Sequence, residues 1–389
     1  LRGPIHQLPD LARMVRRIFN DRSTFIMFAM LAIVGIACGW NLGQLPPGRE
    51  VSALRTEPAT QTAPDLQLYR EVVAAVRDGG NYYDVAHVKI QQHGFPIASP
   101  FNWRLPTYAW VFSLLPGPAW IQAALIILSI LALTLAFVAE SKCSGLGYAA
   151  ISTFLLFGVA RWAIDGDAYF TQEVWAGVLI LISISACRLE SKIQNPKSKI
   201  AWQGLAIIAG LAALAFRELA LPYCCVAAAV SLWHRRWWQA AGWSAGIVAF
   251  FAFLAWHIGK VHLQLADTKT AAGGGLAQWL RFGGLDFVLL TTRMNSLLFA
   301  APAWLLWLFV LAGLFGLASR RDAASQLACL AALAYLGAFA IIGRPENFYW
   351  GLMVAPLLPW GVIHAPAALR ELWTKAAPRA SAARIAALS

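Results

Sequence analysis

Charge is scarce in this chain. Asp, Glu, Lys and Arg make up 13% of its 389 residues, about half the share usual in soluble domains. Apolar residues make up 59% and mean hydropathy is +0.59. This excludes a water-soluble globular domain and predicts an all-α polytopic membrane protein. Cysteine is missing where it would cross-link: Cys38, Cys143, Cys187, Cys224, Cys225 and Cys329 all fall in apolar runs or at their cytoplasmic ends. No disulfide framework is therefore implied, and Cys224-Cys225 inside a helix reads as packing. Metal-ligand spacing is also missing, His87, His93, His257 and His262 included, so no metal is expected. No internal repeat is evident, which disfavours a repeat-built transporter.

What is present is ten apolar runs, at 24–45, 119–139, 148–163, 174–187, 200–216, 219–233, 238–259, 297–318, 324–343 and 349–367. Several are shorter than the roughly 20 residues a spanning helix needs, so their ends must extend into the flanks. Eighteen tryptophans suit repeated passage through the membrane boundary. The first run is long and follows a basic segment, so no cleavable signal is expected. A net charge of +12 would suggest nucleic acid in a soluble protein, but its distribution gives another answer. With the N-terminus in the cytoplasm, Arg13, Arg16, Arg17, Arg22, Arg188, Lys192, Lys197, Lys199, Arg235, Arg236, Arg320, Arg321 and Arg370 all fall on the inner side. Thirteen of the nineteen acids fall outside. The basic surplus is a positive-inside signal. It predicts a multi-pass plasma (inner) membrane protein with both termini cytoplasmic and no nucleic-acid partner. The plan is a basic arm over 1–23, one transmembrane domain over 24–367 with long outer loops at 46–107 and 260–295, and a basic tail over 368–389.

The outer loop 46–107 organises the rest. Its opening is polar and proline-rich and reads as irregular. An amphipathic helix follows, with Leu66, Tyr69, Val72, Val73 and Val76 on one face and Arg70, Glu71 and Arg77 on the other. Asp65 stands where an N-cap belongs, and Gly79-Gly80 where the chain turns out. Such a helix is expected to lie along the membrane surface, apolar side down, with Asp65 facing water. The loop continues through Tyr82-Tyr83 and returns through Trp103-Arg104. A second outer loop gathers Asp165, Asp167, Gln172 and Glu173, a short link holds Arg217-Glu218, and the last outer turn holds Arg344, Glu346, Asn347 and Tyr349. A compact bundle would bring these turns to one face. Each residue also has an ordinary structural reading. Asp65 suits a cap, Asp165 and Asp167 flank a turn glycine, and Glu173 suits a helix start. Arg217-Glu218 and Arg344 suit boundary ion pairs, and the aromatics suit a boundary belt.

With Asp65-Leu-Gln-Leu-Tyr69, the GGNYY turn, Phe101-Asn-Trp-Arg-Leu-Pro106, YFTQEVWAG and RPENFYWG in view, the chain resembles the GT-C superfamily of membrane glycosyltransferases. YFTQEVWAG is similar to the Gly-Gln-Asn-type turn of polyprenol-dependent mannosyltransferases, with Thr171 in place of Gly. The resemblance implies an outward-facing inverting transferase with an acid of the first outer loop as base, no metal and no cofactor. Its implied partners are a polyprenyl-phosphate sugar donor, mannose-like, a glycan, lipid or protein acceptor, and the bilayer.

The chemistry asks for the same residue types. An acceptor hydroxyl must lose a proton to a carboxylate within hydrogen-bond reach, here Asp65, with Asp165 and Asp167 the other candidates. A leaving lipid phosphate needs cations, for which Arg104, Arg217 and Arg344 are candidates. Tyr69, Tyr83, Trp103, Gln172, Glu173, Glu218 and Tyr349 are candidate substrate contacts. Two rival functions are a transporter or flippase, which should place ionisable groups near mid-membrane, and a non-catalytic envelope-assembly scaffold, which would need no donor site.

Overall fold

The computed structural model describes residues 64–97, 102–266 and 282–376. Three short helices build the described part of the first outer loop: α1 (Pro64–Arg77), α2 (Tyr82–Gln92) and α3 (Thr107–Ser113). Proline takes the first helical position of α1, where its missing N–H and fixed φ cost nothing. Asp65 therefore lies inside the first turn rather than at the N-cap the sequence suggested. The exit is as expected. Gly79 has φ +94°, and the Gly79 and Gly80 amides donate to Val76 and Ala75 carbonyls, a Schellman closure. The apolar face of α1 does not lie open to lipid. Tyr69, Val72 and Val73 are buried, and α1 packs on α2 and α3.

The bundle follows: α4 (Pro118–Ser144), α5 (Leu146–Ala160), α6 (Gln172–Glu190), α7 (Pro196–Phe216), α8 (Leu221–Trp233), α9 (Trp237–Leu265), α10 (Gly284–Thr292), α11 (Ala303–Ala318), α12 (Ala323–Ile341), α13 (Pro359–Val362) and α14 (Ala365–Ala376). Among the described residues there is no strand, and six helical stretches are long and apolar enough to cross a membrane. These are α4, Leu146–Ile164, α6, α7, α9 and α12, with α8 and α11 apolar but shorter. Of the ten expected spans, run 24–45 lies outside the described residues. Run 349–367 is not one helix: it divides into a 3-10 segment (Pro345–Met353), α13 and α14. Pro356, Pro359 and Pro366 account for the breaks, since each removes an N–H donor and crowds the preceding turn. In the other direction, α9 continues to Leu265, into what the sequence assigned to an outer loop.

The most enclosed helix is α6, buried almost all round, which is the signature of an apolar helix at a bundle centre. It packs along α7 and α4, and the 3-10 segment 345–353 seats on its first turns. Close approach there depends on Gly177, where a Cβ would stand 2.7 Å from the Leu352 carbonyl oxygen. The far end of α6 is held by charge. Arg188 pairs with Glu140 of α4 and stacks over Trp360, and the Glu140 carboxylate also meets His364 Nε2 at 2.9 Å. Because α6 is central, its N-terminus delivers Gln172 and Glu173 to the middle of one end of the bundle.

Candidate active site

At that end, five separated stretches of sequence meet. The first turns of α1 supply Asp65 and Tyr69, and the returning part of the loop, just before α3, supplies Arg104. The start of α6 supplies Glu173, the link between α7 and α8 supplies Arg217 and Glu218, and the last outer turn supplies Tyr349. Arg104 Nε donates to Tyr69 Oη at 2.7 Å and Arg104 Nη2 to Tyr349 Oη at 3.4 Å. Tyr349 Oη donates in turn to Asn347 Oδ1 at 3.2 Å, and Tyr82 Oη holds the Arg104 carbonyl from behind. Among the described residues no carboxylate closes an ion pair with Arg104, which leaves a half-buried guanidinium whose side-chain hydrogen-bond acceptors are phenols.

Asp65 faces this cation. Burial pushes its carboxyl above the ordinary aspartate value, Arg104 pulls it back, and the Glu173 charge adds to the rise. Expectation and structure differ here. An N-cap carboxylate would have been made more acidic by backbone N–H groups, whereas desolvation inside the first turn makes Asp65 more basic. The Tyr69 hydroxyl is pushed up to about 12, chiefly by burial and against the Arg104 charge, so it stays a neutral hydrogen-bonding group.

Arg217 is engaged differently. Its Nε lies 2.6 Å from Glu173 Oε1 with both side chains buried, and its Nη1 pairs with Glu218. Gln172, also buried, keeps both side-chain polar atoms without a hydrogen-bond partner among the described residues. Arg344 stands at the rim, 3.6 Å from Glu346.

The remaining sequence candidates sit outside this constellation. Asp167 takes Arg70 Nη2 at 2.5 Å, and Tyr169 accepts from the same nitrogen at 3.1 Å. Asp165 ends the 3-10 turn before Gly166, whose φ is +49°. Tyr83 meets His257 Nδ1 of α9 at 3.0 Å, and Trp103 Nε1 donates to the Ile97 carbonyl at 3.0 Å. Tyr83 also packs edge-on against Tyr82, and Trp103 against His87. Three participants were not singled out from the sequence. Arg70 looked like a solvent-face charge, and nothing in its spacing names Asp167 as its partner. Asn347 was noted only as part of a turn, and His257 carried no ligand spacing. Among the described residues no group of three His, Cys, Asp or Glu comes together as a metal site.

No family model and no curated protein matches the chain. Its fold is similar to that of ArnT from Cupriavidus metallidurans bound to undecaprenyl phosphate, with a TM-score of 0.52 at 14% identity over 91% of this chain and 62% of that one. Against apo ArnT from the same organism the TM-score is 0.46 at 14% identity, over 81% and 57%. The chain thus spans less than two thirds of the ArnT chain. At this identity the likeness is one of fold; the six apolar helical stretches of spanning length among the described residues make the chain a polytopic membrane protein, and its fold is related to that of ArnT.

Proposed function

We propose that the protein is an integral membrane glycosyltransferase that moves a sugar, mannose-like, from a polyprenyl-phosphate donor to an acceptor on the outer membrane face. One observation carries this reading: a half-buried carboxyl of raised basicity, Asp65, faces a guanidinium, Arg104, with which no carboxylate among the described residues closes an ion pair. The likeness in fold to a protein that binds undecaprenyl phosphate supports it. Asp65 accepts the proton of the acceptor hydroxyl as its oxygen bonds to the anomeric carbon. The bond from that carbon to the phosphate oxygen breaks on the opposite face, inverting the centre. The departing polyprenyl phosphate keeps the electron pair, and its charge is met by Arg104. Arg344 at the rim can add a second cation. Glu173 and Glu218 hold Arg217, and Asp167 holds Arg70, so these acids build the walls. Gln172 offers a neutral amide for a sugar hydroxyl. The test is transfer by the purified full chain from a radiolabelled polyprenyl-phosphate sugar. We expect transfer by wild type and none by Asp65→Asn. Equal transfer by the two would overturn the assignment of the base, and no transfer from any such donor would overturn the function.

A further inference from the structure

The end of the bundle opposite the candidate active site carries a feature that the proposed reaction does not use. Three helices close there or in the outer loop with the same Schellman hydrogen bonds, and two of them use glycine. Gly79 after α1 has φ +94° and Gly94 after α2 has φ +71°. The third is α8, where the Arg235 and Arg236 amides donate to the Leu232 and Ser231 carbonyls at 3.0 and 2.8 Å. Its left-handed position is filled by Arg235, φ +56°. A side chain there is strained relative to glycine, and arginine gains nothing locally, since its side chain is exposed.

The surroundings suggest what the arginine contributes. A narrow crevice runs between α7, α8, α9 and α12 beside this turn. Its inner wall is apolar, with Ala206, Ala227 and Leu327, and its mouth is polar, with Gln203, Arg236 and Gln239. The acid at this turn is Glu190, which is buried and takes Arg236 at 2.7 Å and Lys199 at 3.5 Å. Three cations against one carboxylate leave a surplus of two positive charges. Trp233, Trp237 and Trp238 project outward around the turn, Trp238 being 90% exposed, as indoles do at the level of lipid headgroups. We infer that this turn binds an anionic phospholipid of that leaflet, its phosphate on Arg235 and Arg236 and its glycerol end against the crevice mouth. Paired cations between membrane helices on a basic face are a recurrent form of headgroup site.

The experiment uses the full chain in nanodiscs of phosphatidylcholine with a rising fraction of phosphatidylglycerol, read by thermal unfolding. Wild type should gain several degrees in a saturating manner. Arg235→Gly should lose most of that gain, while unfolding in pure phosphatidylcholine at or above the wild-type temperature, because glycine relieves the strained φ. Lys142→Gln removes the same charge from an exposed position at the end of α4, which packs on α5 and α6, and should keep the full gain. The inference is overturned by any of four results: no gain in wild type, a gain that Arg235→Gly keeps, a loss as large in Lys142→Gln, or an equal gain from inorganic phosphate in phosphatidylcholine discs.

Discussion

A carboxyl that has lost water holds its proton longer, and at Asp65 this outweighs the pull of Arg104. Two outcomes follow at the scale of this residue. If Asp65 is the base of the proposed transfer, the reaction needs its ionised form, so the acid limb of the pH–rate profile should lie above the 3.8 of an ordinary aspartate. The folded protein also binds this proton more tightly than the unfolded chain does. Asp65 therefore costs nothing below pH 3.8 and costs stability once pH has risen through its folded-state value. Asp65→Asn should abolish transfer yet unfold at or above the wild-type temperature at neutral pH, the difference vanishing below pH 3.8. A neutral-pH loss of stability in Asp65→Asn would mean that the carboxylate serves mainly as a counter-ion for Arg104. The guanidinium itself is tested by Arg104→Gln. If it meets the charge of the leaving phosphate, kcat should fall roughly 10²–10³-fold, with thermal unfolding little changed. Lysine should rescue poorly, since a single ammonium cannot present the planar fork that holds both Tyr69 and an oxyanion. Asp165, Asp167 and Asp65 are equally visible in the sequence as outer-loop acids. Their partners separate them: Asp167 is taken by Arg70, whereas Asp65 is desolvated between Arg104 and Glu173, and those neighbours depend on which helices close around each acid.

At the scale of elements, the start of α6 and the α7–α8 link are joined by a buried ion pair, Arg217 with Glu173. Removing one partner leaves the other as an uncompensated buried charge, so Arg217→Gln should cost about 3–5 kcal/mol in equilibrium unfolding in detergent. Arg217→Gln with Glu173→Gln should recover much of it. If Arg217 instead binds donor phosphate directly, donor affinity will fall in the single variant and the double variant will not restore it. Packing elsewhere depends on small residues. A Cβ on Gly361 would fall 1.7 Å from the Gly313 carbonyl oxygen, so Gly361→Ala should drive α13 off α11 and cost at least about 1–3 kcal/mol. The helices themselves were largely legible. Apolar runs became α4 to α9, α11 and α12, and the prolines that break the last run are plain in the sequence. The helix α2 was not read, although Asn81 caps it through the Tyr83 amide. Its tyrosines, with Ala86 and Ile90, supply a buried face, but the polar residues between them obscure that stripe. Pairings such as Arg70 with Asp167 bridge distant parts of the chain, and no local periodicity encodes them.

On the scale of the whole molecule, convergence of the outer turns followed from assuming a compact bundle, and the structure supplies its cause: a central α6 whose N-terminus the other turns surround. That geometry also gives the molecule two chemically different ends. Asp65, Arg104 and Glu173 gather at one end, and the α7–α8 link puts Arg217 beside them. Helix α7 runs from Pro196 to Phe216, about 30 Å at 1.5 Å per residue, which matches the hydrocarbon thickness of a bilayer. Ser198, exposed near its start, must then stand a membrane's width from Arg217. Asp78, exposed at the end of α1, belongs to the loop that carries Asp65. The positive-inside bias assigns the Ser198 end, with Lys192, Lys197, Lys199, Arg235 and Arg236, to the cytoplasm. Single cysteines at Asp78 and Ser198 in a background free of the six native cysteines should therefore react with a membrane-impermeant maleimide from opposite sides. In intact cells only the Asp78 position should label, and Ser198 should label after the membrane is opened. Labelling of both positions in intact cells would break the topology, and with it the outward-facing site. The reverse pattern would keep the bundle intact but turn Asp65 toward the cytoplasm, where the acceptor chemistry would have to be sought instead.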